Sequence, residues 1–160
     1  GAITTPDGLR SGLARQSSTH RSQDAAWPVG HLSIPAIGLS EDVLAGVSLS
    51  VLDRGVGHWA GTAAPGRDGN VVLAGHRTTH TQPFYDLDRL VPGDLVTLTG
   101  GDGLDVLYRV TESFVVEPDD VWITYDRPTP TLTMFACHPK GSATRRIVVV
   151  ADLISPHRPS

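Results

Sequence analysis

The sequence contains a single cysteine, Cys137, which excludes an intrachain disulfide and leaves this thiol either free and reactive or paired between chains. Long apolar runs are also missing, and none approaches the ~20 residues that a membrane-spanning helix needs. No run of basic residues exceeds two and the net charge is -4, so the electrostatic footprint of a nucleic-acid binder is absent. Neither a GxGxxG nor a phosphate-loop pattern occurs, so nucleotide binding is not indicated. There is no internal repeat. No basic and then apolar leader opens the chain, which begins Gly1-Ala2-Ile3-Thr4-Thr5-Pro6. Aromatic residues are scarce at 6%, yet the apolar fraction of 39% is that of an ordinary globular chain.

What is present fits one turn-dense β domain. A length of 160 residues suits a single core. Residues 1–28 are rich in Ser, Thr, Gly, Arg and Asp without an apolar period, and read as a flexible linker. Residues 29–155 form the expected domain, and residues 156–160 a frayed tail. From His31 the pattern changes: Leu32-Ser33-Ile34-Pro35-Ala36-Ile37 alternates as a short strand does, with Pro35 arguing for an edge or a bulge. Residues 43–52 fit a helical turn or a strand. Asn70 to Ala74 is a compact apolar run, read as a buried strand. One helical turn is expected over residues 85–90, and Pro92-Gly93-Asp94 is a turn. Strands follow at Leu95 to Thr99, then after Gly100-Gly101-Asp102-Gly103 at 107–110 and 114–116, and finally at 132–136 and 146–153, with residues 138–144 as a polar loop. Short strands punctuated by 17 Gly and 12 Pro indicate a mostly-β barrel or sandwich.

Cys137 follows the strand-like run Leu132-Thr133-Met134-Phe135-Ala136, which sets its sulfur at a strand end. A lone cysteine is by default a small buried hydrophobe. Here His138-Pro139-Lys140 follows, and Arg145 and Arg146 lie eight and nine positions on, a polar and cationic setting that favours the thiolate. His76 stands just after the 70–74 strand and could share a proton with Cys137, against the plainer reading of a solvent-facing turn histidine. His20, His31, His58, His80, His138 and His157 compete; His20 and His157 fall in the expected loose ends, and His138 would point away from its neighbour Cys137 along a strand. Arg146 opens Ile147-Val148-Val149-Val150 and could donate two hydrogen bonds to an oxyanion, or simply be an exposed strand-end residue. Arg145 would face the other way, and Arg77 reads as a surface charge. A zinc site from His76, His80, Cys137 and His138 is disfavoured, since Gly75 and Thr78-Thr79 argue against a helix and no HExxH or cysteine pair exists.

The stretch Gly55-Val56-Gly57-His58-Trp59-Ala60-Gly61-Thr62-Ala63-Ala64-Pro65-Gly66, followed by Gly69-Asn70-Val71-Val72-Leu73-Ala74-Gly75-His76-Arg77, resembles the run that leads to the catalytic histidine of the sortase family. Thr133 to Cys137 resembles the family's Thr-Leu-x-Thr-Cys motif, and Arg146-Ile147-Val148-Val149-Val150-Ala151-Asp152-Leu153 resembles the strand of its catalytic arginine. The resemblance covers about His31 to Leu153. It implies an eight-stranded β-barrel with short helical turns, and a cysteine transpeptidase with Cys137 as nucleophile, His76 as proton partner and Arg146 at the oxyanion. Thr133, Ala136 and His138 are then expected at the substrate. The implied reaction cuts a surface protein's sorting signal between Thr and Gly and passes the thioacyl group to an amine of a peptidoglycan precursor or a pilin. The implied location is the extracellular face of the cytoplasmic membrane, through an N-terminal anchor helix removed here. No cofactor or metal is expected. Glu117, Asp119 and Asp120 read as a solvated loop face rather than a calcium site. His76-Arg77-Thr78-Thr79, Pro83-Phe84 and Cys137-His138-Pro139 look most like class E sortases of high-GC Gram-positive bacteria, which prefer an LAxTG-like signal. Met134 stands for the family's Leu, a volume-conserving change. Ala136 stands where Thr is usual, which removes a hydroxyl beside the nucleophile. The alternatives are a generic or L,D-transpeptidase-like cysteine peptidase, whose Ser-His-Gly-Cys signature is absent, and an idle β-barrel assembly module.

Overall fold

A computed structural model describes residues 28–78 and 82–156. The expected linker therefore lies outside the described residues except for Pro28, as does the tail beyond Pro156. Eight strands close a barrel: β1 (Pro28–Ile34), β2 (Leu39–Ala45), β3 (Val56–His58), β4 (Asn70–Ala74), β5 (Leu95–Thr99), β6 (Asp105–Val116), β7 (Thr131–His138) and β8 (Arg145–Ser155). Their order around the barrel is β1-β2-β3-β4-β7-β8-β6-β5, and β5 returns to β1. The β2–β3 and β4–β7 pairs are parallel and the others antiparallel.

Alternation along the strands sorts the apolar side chains into two layers. Val71 and Leu73 of β4, Leu132, Met134 and Ala136 of β7, and Ile147, Val149 and Ala151 of β8 fill the barrel with Leu32, Leu98 and Tyr108. Their neighbours Val72, Ala74, Phe135, Val148 and Val150 point outward into a second cluster with Val47, Leu52, Val116 and Ile123. β4, β7 and β8 are thus buried on both faces, which is why each reads as an unbroken apolar run. The outer layer is roofed by a four-residue helix, α1 (Leu49–Leu52), and by a 3-10 turn, Val121–Thr124.

Several local expectations are corrected. The first strand stops at Ile34, because Pro35 begins a 3-10 turn (Pro35–Ile37) where its missing N–H costs nothing. Residues 43–52 hold both candidates in succession: β2 ends at Ala45, Gly46 turns with φ 84°, and α1 starts after Ser48, whose hydroxyl accepts from the Val51 N–H at 3.3 Å. The helical turn near residue 87 is the 3-10 segment Leu87–Arg89. β3 was invisible because it has three residues with glycine at its centre, where a Cβ would collide with the Gly46 carbonyl oxygen.

Asn70 ties the 3-10 roof to the barrel. It is 1% exposed; its amide donates to the Ile123 and Tyr125 carbonyls at 3.0 Å each, and its oxygen accepts from the Thr133 hydroxyl at 2.7 Å. Asn70→Ala strands these groups and should cost about 3 kcal/mol, read from chemical denaturation.

His58, at the end of β3, has its Nε2 2.9 Å from the Ala63 carbonyl and 3.0 Å from the Thr62 hydroxyl. Burial lowers its pKa below the ordinary value, with the Ala63 carbonyl opposing in part. The ring is neutral in both states above the unfolded value of ~6.5, so stability falls only as pH drops below it and through the lower folded pKa. Between pH 7.5 and 5 the melting temperature of His58→Gln should fall less than that of wild type.

Candidate active site

The site lies where three neighbouring strands end. In the β7–β8 ladder Cys137 pairs with Arg146 and His138 with Arg145. In the parallel β4–β7 ladder Ala74 pairs with Phe135, and the Gly75 N–H still donates to the Phe135 carbonyl at 3.3 Å. His76 therefore stands two residues past Ala74, as Cys137 stands two past Phe135. Cys137 and Arg146 continue the outward set of Phe135 and Val148. His76 meets the same outer layer, because its Nε2 lies 2.9 Å from the carboxylate of Asp53 at the end of α1. The chain can approach so closely at Gly75 because any Cβ there would sit 2.8 Å from the ring of buried Phe84.

Cys137 is a free thiol, half-buried. Arg146 is 4% exposed, and its Nη1 donates to the Ala143 and Arg145 carbonyls at 2.9 and 2.8 Å, which fixes the plane of the guanidinium. Arg145 is exposed and reaches Glu117 at 3.4 Å. Of the expected substrate contacts, Ala136 faces the barrel interior, and Thr133 is fully buried with its hydroxyl on Asn70. Neither side chain reaches the surface on which Cys137 opens. The hydroxyl missing at Ala136 is accordingly missing from the interior, not from the face of the thiol. His138 is half-buried against Arg77. Beside the 3-10 roof, Trp122 stacks on Phe114 at 5.7 Å and stays 46% exposed, while Trp59 packs on Phe135 at 6.0 Å.

Arg77 was expected on the surface, and the structure buries it to 3% exposure. Its Nε donates to the Tyr85 carbonyl at 2.8 Å and its Nη1 to the Cys137 carbonyl at 2.9 Å. Nη1 also lies 3.2 Å from His138 Nδ1, and Nη2 pairs with Asp88 at 3.0 Å. Arg77 Nη1 is a donor, so His138 Nδ1 accepts and the proton of a neutral ring sits on Nε2. Lys140 reinforces the join by lying 4.2 Å over the Tyr85 ring and 3.5 Å from Asp86. The only sequence signal for this role was the position of Arg77 next to His76. The partners lie up to 61 residues away in the chain and form no local pattern.

Among the described residues no three of His, Cys, Asp and Glu are grouped as a metal would require, and His80 lies outside those residues. No helix among them is long and apolar enough to cross a membrane.

The fold is a closed eight-stranded barrel that brings a thiol, an imidazole and a guanidinium to adjoining strand ends, and comparison with known proteins names its family. A family model for the sortase domain matches residues 32–154, and the chain belongs to the sortase family. It is 31% identical over 138 residues to Sortase SrtE1 of Streptomyces coelicolor, covering 77% of this chain and 39% of that protein. It is 29% identical to Sortase D of Bacillus subtilis, covering 79% of this chain and 64% of that one. The chain thus spans less than two thirds of the length of each of those two relatives. Among solved structures, a mutant of sortase E from Streptomyces avermitilis superposes with a TM-score of 0.72 at 34% identity, covering 80% of this chain and 88% of that one. Sortase C-1 of Actinomyces oris shares the fold, with a TM-score of 0.77 at 24% identity over 91% of this chain and 86% of its own. The likeness extends to class E through the two sortases E. Sortases are transpeptidases of the cell surface.

Removing Arg77 would leave the Cys137 and Tyr85 carbonyls without their donor. Arg77→Ala should cost about 2–3 kcal/mol, and Arg77→Lys should recover only part of it because an ammonium cannot span the same fork. Urea denaturation of the three proteins checks this.

Proposed function

We propose that this domain is an active cysteine transpeptidase that cleaves an LAxTG- or LPxTG-like sorting signal between Thr and Gly. The observation that supports the reading best is the strand register, which sets Cys137 across from Arg146 and beside the chain carrying His76. In this reading the Cys137 thiolate attacks the Thr carbonyl carbon while His76 holds the proton as imidazolium. Arg146, its plane held by two carbonyls, donates to the oxyanion, a contribution of ~3 kcal/mol per donor in other enzymes. The C–N bond then breaks, and His76 gives its proton to the leaving glycine amine. The thioacyl product waits for an amine of a peptidoglycan precursor or a pilin. That amine attacks, loses a proton to His76 and releases the Cys137 thiolate. His138, at the end of β7 with its ring on Arg77, and Thr133 and Ala136 serve the groove indirectly, by setting the strand that carries Cys137. The enzyme works at the extracellular face of the cytoplasmic membrane, held by a helix that precedes this domain.

The test is incubation with a sorting-signal peptide and an amine, followed by intact mass and product analysis. We expect a thioacyl adduct that Cys137→Ala abolishes. Arg146→Ala should lower turnover about 10²–10³-fold, and Arg145→Ala only a few-fold, because its ion pair is exposed. Equal losses would overturn the arginine assignment. No adduct with any signal peptide would favour an idle assembly module.

A further inference from the structure

We infer that Asp53 is a positioning residue for His76, so that the reacting nitrogen of the imidazole is Nδ1. The inference rests on His76 acting as the proton partner of Cys137. The carboxylate of Asp53 stands 2.9 Å from His76 Nε2, with side-chain exposures of 41% and 19%. A carboxylate only accepts, so the nitrogen facing it carries the proton. In a neutral imidazole that leaves the lone pair on Nδ1. Nδ1 is then the atom that can take the proton of the Cys137 thiol. When it does, the imidazolium is already paired with an anion on its far side. A nucleophile, a base and a group that orients the base make up the full requirement for an activated thiol.

The support beneath Asp53 is rigid. It caps the C-terminus of α1, and its backbone N–H donates to the Leu49 carbonyl at 2.9 Å. Val51 and Leu52 just before it are 0% and 4% exposed, the latter in the outer apolar layer, and Ser48 caps the start of the helix. The cap bond is made by the backbone N–H, which a substitution at Asp53 keeps. A half-exposed ion pair contributes little to stability. Its effect on the ring is geometric, since one acceptor on a fixed support selects one tautomer. The two residues are 23 apart in the chain, which hid the pair from sequence inspection.

The experiment compares wild type, Asp53→Ala and Asp53→Asn as the whole 160-residue chain. Long-range 15N–1H correlation, at a pH where the ring is neutral, reads the His76 tautomer, with His76→Gln identifying the resonance. We expect the Nε2–H form in wild type and in Asp53→Asn, whose amide oxygen still accepts, and a mixed population in Asp53→Ala. With a signal peptide, kcat of Asp53→Ala should fall roughly tenfold or more at nearly constant KM, and Asp53→Asn should recover part of it. The melting temperature should barely move. An unchanged tautomer in Asp53→Ala overturns the inference, and so does an unchanged kcat, or a loss explained by unfolding alone. If wild type forms no thioacyl adduct, the proposed function fails, and the tautomer comparison still decides whether Asp53 orients the ring.

Discussion

Strand β7 is held on one side by β4 running parallel and on the other by β8 running antiparallel, and the registers of these two ladders govern every relation at the site. Side chains alternate between faces, so a slip of one residue would turn Cys137 inward or bring Arg145 to its face instead of Arg146. Burial on both sides prevents the slip. Leu132, Met134 and Ala136 must fill the barrel while Phe135 meets Val72 and Val148 outside it. A shifted strand would lose both layers at once.

The same two-sided burial creates a problem where the strands run out and their backbone groups lose ladder partners. Side chains answer it. Asn70 satisfies the carbonyls of the 3-10 roof, Arg77 the carbonyls of Cys137 and Tyr85, and Arg146 those of Ala143 and Arg145. The Arg77 and Arg146 contacts sit at the end of β7 that carries Cys137, whereas Asn70 acts at the opposite end, where β4 and β7 begin. Backbone anchoring at the Cys137 end thus falls to neighbours of the candidate catalytic residues, since Arg77 follows His76 and Arg146 pairs with Cys137.

Much of the fold was legible before any coordinates. The 70–74 and 95–99 strands were read with their ends in place, the first because a fully buried strand is an unbroken Val and Leu run, the second because buried Val96 and Leu98 alternate with more exposed neighbours between two turns. The single cysteine and the glycine-histidine run drew attention to Cys137 and His76. Arg77 was misread as a surface charge because nothing local distinguishes an arginine clamped by distant carbonyls from one in water. Residues 43–52 looked ambiguous because they hold a strand and a helix in turn. Ala136 looked like a change in the substrate groove, although its parity in β7 turns it to the interior.

By itself the sequence determined which groups exist to do chemistry and which segments must be buried strands, because composition and periodicity are local properties. It could not choose between Arg145 and Arg146 by position alone, nor reveal that Arg77 holds the Cys137 backbone or that Asp53 faces His76. Those relations belong to the tertiary structure. They depend on which strands become neighbours and in what register, and barrel closure settles that by burying both faces of β4, β7 and β8 together.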